Sequence, residues 1–349
     1  MKAIQITHSQ ELNVIEMEKP QAPGQGEVLL KVDYVGFCGS DINTFMGRNT
    51  MALNPVIPGH EVSATIETVG PGVPGNLKPG MEVTVNPYTN CGKCASCRNL
   101  RVNACQHNET LGVQRNGAMM EYITLPWEKI IPAGGLKPKM TALVEPMSVG
   151  FHAVSRAQVT DIDVVMVIGC GMVGMGAIVR AALRGATVIA ADIDDEKLAL
   201  AKEMGATYAV NTIKEDVHQR LQEMTGGYGQ EGFGPDVVIE AVGSVPTYQM
   251  AVNEVAFTGR VVCIGYAKSE VSFQTKYFVQ KELDIRGSRN AMPSDFRAVI
   301  NYLREHQGTS ERMTDTLITR VVKPEEALET MRWWSQNPGK VFRILVDFQ

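Results

Sequence analysis

The run VVMVIGCGMVG, residues 164–174, constrains the chain more than any other stretch. An unbroken apolar segment passes into a glycine-rich turn, and a helical pattern follows through Ala182. A strand of that composition is buried on both faces, as happens in a sheet covered by helices on both sides. The pattern recurs: TVIAADI (187–193), DVVIEAVG (236–243) and RVVCIGY (260–266) alternate with helix-like segments, and LDIRGS (283–288) ends the series. Strands in that rhythm predict βαβ units and a doubly wound parallel sheet. Gly169, Gly171 and Gly174, with Met172 and Val173 among them, form G-x-G-x-x-G at the strand-to-helix turn. There the backbone amides of a helix N-terminus can approach a pyrophosphate. The next strand ends in Asp192, where a carboxylate accepts hydrogen bonds from both ribose hydroxyls and repels a 2′-phosphate. No Arg follows at 193–196, and Asp194, Asp195 and Glu196 add negative charge, so NAD is favoured over NADP. The competing reading of Asp192 is a solvated acid at a strand end.

Before residue 146 the texture differs. VLLKVDYVGF (28–37), VSATIETVG (62–70) and MEVTVNPY (81–88) are short β-like segments between Gly and Pro turns, which predicts a β-rich domain. Near the end, a helix is expected from about Ser294 to His306 with Gly308 as its stop, and VFRILVDF (341–348) reads as a closing strand. A chain of 349 residues has room for two domains, and 44% hydrophobic with 20% charged residues is a globular composition. The net charge is 33 − 38 = −5 without a long basic run, so neither nucleic acid nor an acidic membrane is an expected partner. The charge-free run Val164–Val179 falls short of the ~20 residues of a membrane helix, and the first residues lack the features of a signal peptide. A cytoplasmic location is expected.

Four of the seven cysteines lie close together as Cys91, Cys94, Cys97 and Cys105, spaced C-x2-C-x2-C-x7-C. Four thiolates at these offsets can enclose a tetrahedral zinc and leave no position for substrate, which is a structural site. An iron–sulfur cluster uses the same donors, and unliganded buried cysteines are the plain alternative. A second donor set is scattered: Cys38 in GFCGSD, His60 and Glu61 in PGHE, and Glu145 in VEPMSV. Such donors could hold a zinc with one position left open, although a lone Cys or His is more often a packed core residue, and Glu145 before Pro146 could end a strand.

Taken in order, GFCGSD, PGHE, the cysteine cluster, VEPMSVGFHA and the glycine turn resemble the zinc-containing medium-chain alcohol and polyol dehydrogenases over nearly the whole chain. The resemblance implies a GroES-like β-rich catalytic domain (1–146 and 291–349) and an inserted Rossmann NAD-binding domain (147–290), with the active site in the cleft. It implies two zinc ions per chain. Cys38, His60 and Glu145 would hold the catalytic one, Glu61 would be a ligand exchanging with water or an outer carboxylate, and Asp41 would hydrogen-bond the far nitrogen of His60. Glutamate at 145, in place of the cysteine of ethanol-type members, points to the sorbitol-type branch, as does Gly39, where ethanol-type members have an arginine. Ser40 matches the hydroxyl that begins the proton relay, whereas Asn43 replaces the histidine that ends it in many relatives and cannot titrate near neutrality. Arg343 aligns with a cofactor-contacting basic residue, with a surface arginine as the alternative.

The segment GSRNAMPSDF (287–296) resembles the corresponding stretch of bacterial sugar-acid dehydrogenases of the galactonate type. Arg289 could grip a carboxylate in paired hydrogen bonds and Asn290 could read hydroxyls, or Arg289 could serve a local ion pair or a subunit interface. The expected substrate is a polyol or sugar acid, and the expected assembly a homodimer or homotetramer. Dehydrogenases of simple secondary alcohols or of threonine are the alternative within the family. A non-catalytic protein that binds zinc and NAD, and a zinc-ribbon module contacting nucleic acid through Lys93, Arg98 and Arg101, are alternatives of another class.

Overall fold

The computed structural model describes residues 1–226 and 233–349. They form two compact units, Met1–Glu145 with Met292–Gln349, and Pro146–Ala291. The first unit opens with an antiparallel hairpin, β1 (Lys2–Ile6) and β2 (Leu12–Glu16). Its main sheet is organised by β3 (Glu27–Phe37), a long and largely buried strand. β4 (Glu61–Val69) runs antiparallel along β3, followed by β5 (Glu82–Val85), β6 (Tyr122–Pro126), which pairs the first half of β3, and β7 (Ile130–Pro132). Valines, leucines and isoleucines of these strands make one core with Phe37, Phe45 and Met119. The register places Gly36 of β3 opposite Glu61 of β4, and a side chain at Gly36 would meet the Glu61 carboxylate at 2.2 Å.

The second unit is the parallel sheet. β8 (Val164–Ile168), β9 (Thr187–Asp192), β10 (Tyr208–Asn211), β11 (Val237–Glu240), β12 (Arg260–Cys263) and β13 (Asp284–Gly287) lie in the order β10-β9-β8-β11-β12-β13. All adjacent pairs are parallel. This is the doubly wound order 3-2-1-4-5-6, whose chain reversal lies between β8 and β11. Helix Met172–Leu183 follows the glycine turn and crosses helix Val144–Ala157 at very short range: a methyl at Gly150 would meet the Val173 carbonyl at 2.2 Å, and one at Gly176 the Met147 carbonyl at 2.6 Å. Only glycine permits that approach.

The returning segment completes the first unit with β14 (Ile318–Val322) and β15 (Arg343–Asp347), which places β15 antiparallel to the second half of β3. Here one expectation is corrected. Helix Pro293–Glu305 does end near His306, but Gly308 does not stop it; Gly308 lies in the first turn of another helix, Gln307–Leu317. The break is made at His306 (φ −118°, ψ 43°), and burial of Met313, Thr314 and Leu317 outweighs the roughly 1 kcal/mol helix cost of the glycine. Among the described residues no helix is long and apolar enough to cross a membrane.

Candidate metal centres and dinucleotide turn

Cys91, Cys94, Cys97 and Cys105 converge so that their sulfurs all lie within 4.8 Å of one another, and none is in a disulfide. Backbone amides point inward: Cys91 N and His107 N donate to Cys105 Sγ at 3.3 Å, and Cys94 N donates to Cys91 Sγ at 3.4 Å. Inward amides favour thiolate, the metal-binding form. The Ser96 hydroxyl and nearby amides bring Cys94 down to about 5, while burial pushes Cys97 up to about 11. Four crowded thiols with such opposed acidities suit a cation that compensates all four.

The second cluster comes from separate elements. Cys38 stands at the end of β3 and caps helix Gly39–Phe45, His60 and Glu61 open β4, and Glu145 lies in the first turn of helix Val144–Ala157, with Pro146 just after it. Pro is well tolerated in a first helical turn, so Glu145 begins a helix rather than ending a strand. Donor atoms of Cys38, His60 and Glu61 lie within 4.8 Å of one another. Glu145 is not a member of that set; its Oε1 accepts a hydrogen bond from the Tyr88 hydroxyl. Glu61 is fully buried, with Oε1 3.0 Å from Nη1 of Arg343, and neither of its oxygens receives a hydrogen bond of regular geometry. Arg343 is itself buried, donates to the Phe37 carbonyl at 2.7 Å, and is therefore not a surface arginine.

The Asp41–His60 hydrogen bond is not formed. Asp41 Oδ2 accepts from Cys38 N at 2.8 Å, the reach-back of a capping box, while Asp41 Oδ1 and His60 Nδ1 are buried without a hydrogen-bond partner. The acidities show a site short of positive charge. Burial lifts Asp41 to about 6 and Glu145 to about 7 despite the attraction of His60. Burial opposes a charged His60, yet Cys38, Asp41 and Glu145 hold it well above the usual imidazole range. Burial, then Glu145, drives Tyr88 well above the usual phenol range, so it stays a donor. Thiol, imidazole and carboxylates with orphaned buried atoms fit a zinc ion.

Ser40 Oγ, next to Cys38 in the helix, is buried without a hydrogen-bond partner, whereas the Asn43 amide is occupied by the Gly39 carbonyl at 2.8 Å. In the second unit the three motif glycines differ physically. Gly169 has φ 93°, a side chain at Gly171 would meet nothing within 4 Å, and one at Gly174 would meet the Gly169 carbonyl at 1.7 Å. They serve the turn, an open approach to the backbone, and the close strand–helix contact, respectively. Met172 is buried and Val173 half-buried at the helix start. The Asp192 carboxylate is fixed beside this turn: Oδ2 accepts Cys170 N at 2.6 Å, and Oδ1 accepts Ile193 N at 2.8 Å and Asp194 N at 3.1 Å. Arg289 and Asn290 lie in the second unit after β13, both half-buried, with Asn290 at φ 54°.

Tyr88 escaped the sequence reading, because no local pattern ties a tyrosine beside the cysteine cluster to a glutamate far along the chain. Nor was the Glu61–Arg343 pair visible, since it depends on β15 returning to β3.

Comparison with known proteins agrees with this architecture. Residues 24–135 match the alcohol dehydrogenase GroES-like domain, and residues 173–305 match the zinc-binding dehydrogenase family. The chain is 33% identical over 325 residues to a sorbitol dehydrogenase of Halalkalibacterium halodurans, covering 91% of this chain and 92% of that one. It is also 33% identical to the L-galactonate-5-dehydrogenase of Escherichia coli, over 83% of this chain and 84% of that one. Among solved structures, galactitol-1-phosphate dehydrogenase from Escherichia coli superposes with a TM-score of 0.88 at 27% identity, covering 99% of this chain and 100% of that one. An RspB alcohol dehydrogenase from Escherichia coli complexed with NADH gives 0.87 at 28% identity, covering 99% of each chain. On fold, donor sets and near full-length similarity together, the chain belongs to the zinc-type medium-chain alcohol and polyol dehydrogenase family.

Proposed function

We propose that the protein oxidises a secondary hydroxyl of a polyol or sugar acid with NAD, and reduces the corresponding ketone in the other direction. The observation that carries this reading is the cluster of half-buried Cys38 with buried His60 and Glu61, and Glu145 beside it, a donor set that can bind a metal and keep a position for an oxygen ligand. A zinc ion held by Cys38, His60 and the neighbouring carboxylates would supply Lewis acidity toward the substrate oxygen, and a dinucleotide on the Gly169–Gly174 turn would supply the hydride acceptor. The chain's own groups do the rest. Arg343 neutralises Glu61, and Asp41 holds the helix that carries Cys38 and Ser40. The Ser40 hydroxyl relays the substrate proton, accepting it as it passes its own to water, and the Asn43 amide, held by the Gly39 carbonyl, is not a proton acceptor on that route.

Asp192 supports NAD as the cofactor. Its carboxylate, already locked by three amides, presents fixed negative charge where a 2′-phosphate would sit. The similarity to sorbitol and galactonate dehydrogenases supports the substrate class, with Arg289 and Asn290 as the residues that read it. The test is NAD and NADP reduction over a panel of aldonates, polyols and simple secondary alcohols, with Asp192→Ala and Arg289→Ala alongside. We expect NAD preference that narrows in Asp192→Ala, and Arg289→Ala losing one to two powers of ten in kcat/KM on aldonates only, the worth of a charge-assisted hydrogen bond of roughly 1.5–3 kcal/mol. Equal use of both cofactors by the unmodified enzyme would refute the NAD assignment. Equal losses on acids and neutral polyols would return Arg289 to a structural role.

A further inference from the structure

Tyr88 links the segment that carries the cysteine cluster to Glu145. It stands three residues before Cys91, the first sulfur of the cysteine lobe, and its hydroxyl donates to Glu145 Oε1 beside Cys38 and His60. The backbone around it is held by the lobe's returning strand of chain: Asn108 Oδ1 accepts Thr89 N at 3.1 Å, Glu109 N donates to Thr89 Oγ1 at 2.6 Å, and Leu111 N donates to the Pro87 carbonyl at 3.0 Å. Asn108 is tied in turn to the lobe's last ligand, since its own N–H donates to the Cys105 carbonyl at 3.2 Å. On the other side, Lys129 Nζ donates to the Tyr88 carbonyl at 2.6 Å, and the buried Phe296 ring packs edge-on at 6.4 Å between centroids. Asn86 Oδ1 also accepts Tyr88 N at 3.1 Å, so the lobe is one of several constraints on the phenol, and the one that joins it to the cysteine sulfurs. The glutamate it holds is the one expected ligand outside the mutually close set of Cys38, His60 and Glu61.

We propose that Tyr88 is a positioning residue that couples the two metal centres: the cysteine lobe fixes the Pro87–Thr89 backbone, and through it the Tyr88 hydroxyl sets how Glu145 faces the Cys38–His60–Glu61 cluster. The lobe thereby acquires a task beyond local stability, which is to tune metal affinity at the site of reaction. Partners that hydrogen-bond a metal ligand from outside typically change metal affinity 10–100-fold when lost. The coupling is energetic and so is measurable as non-additivity between a lobe change and a Tyr88 change. It rests on the proposed reading of the second cluster as a metal centre.

The experiment is a double-mutant cycle on the full-length protein loaded with zinc. Metal content per chain is counted, and the dissociation constant of the more weakly held ion is measured by competition with a chelator. Cobalt substitution adds the visible spectrum of that ion as a second signature. The variants are Tyr88→Phe, Asn108→Ala and their combination; Asn108→Ala leaves all four cysteines in place, and thermal melting verifies folding of each. We expect Tyr88→Phe to weaken the second ion about tenfold, Asn108→Ala about threefold, and the combination no more than Tyr88→Phe alone, with a shifted cobalt spectrum in all three. Two ions per chain with an unmoved dissociation constant in Tyr88→Phe, or an Asn108→Ala effect equally large in both backgrounds, would overturn the coupling. A single ion per chain, held in the lobe, would overturn the metal-centre reading itself and the coupling with it.

Discussion

Both donor clusters, Cys91–Cys94–Cys97–Cys105 and Cys38–His60–Glu61, keep their donor atoms within 4.8 Å of one another, yet they are built in opposite ways. The lobe takes four identical donors from one short segment, Cys91 to Cys105, and surrounds them with amides of the same loop. The Cys38 cluster takes different donors, Cys38 from the turn after β3 and His60 with Glu61 from the start of β4, has Glu145 of the helix beginning at Val144 outside the mutually close set, and buries Glu61 wholly. A local chelate closes little loop entropy and can be complete in itself. A site assembled across a fold depends on everything that holds the fold, and it keeps unlike donors, which is what leaves room for chemistry.

The contrast breaks most visibly on cysteine replacement. Cys38→Ser should lose roughly 10³-fold in turnover while the protein stays folded and keeps the metal of the lobe, because Lewis acidity worth several kcal/mol is removed without touching the lobe. Cys105→Ser should instead destabilise the protein by several kcal/mol in calorimetry, since metal binding in a closed site is folding free energy. Full activity in Cys38→Ser would erase the distinction.

Next in size is the pH dependence of the metal-free protein. Asp41 and Glu145, at about 6 and about 7 when buried, lie above the unfolded carboxyl values near ~4. Their contribution to stability is therefore fully present below about pH 4 and is lost as pH rises through 6 to 7, on the order of 3 kcal/mol for each group. Zinc should abolish that decline by compensating the charge. Urea unfolding at pH 5 and pH 8, with and without zinc, reads it directly, and a metal-free protein equally stable at both would count against the cluster being short of cations.

Gly36→Ala sharpens the comparison further, because the new methyl would strike the Glu61 carboxylate at 2.2 Å. A drop of about tenfold in kcat/KM, or 1.4 kcal/mol, with unchanged metal content in the lobe is expected. The smallest effect belongs to the lobe's exterior. Arg98, whose Nη1 donates to the Lys93 carbonyl at 2.8 Å, is exposed, so Arg98→Ala should shift stability by less than about 0.5 kcal/mol and leave turnover unchanged. A large loss of function would revive a contact role for the basic residues of the lobe.

Features encoded in short windows were legible in the chain itself. The parallel sheet could be read because its central strands β8, β9, β11 and β12 are largely apolar runs that alternate with helices, and the glycine turn because Gly169 and Gly174 answer a local steric demand. Short β10 was not visible, since Tyr208–Asn211 is too brief to show a period. Gly308 misled because helix propensity is a weak prior that burial overrides. Only the tertiary structure decided that Asp41 caps its own helix instead of bonding His60, that Arg343 is buried against Glu61, and that Tyr88 reaches Glu145. The reason is physical: spacing along the chain fixes which neighbours can meet within a turn or a loop, whereas pairings across distant segments are chosen by the packing that closes the core and by the charge it must then balance.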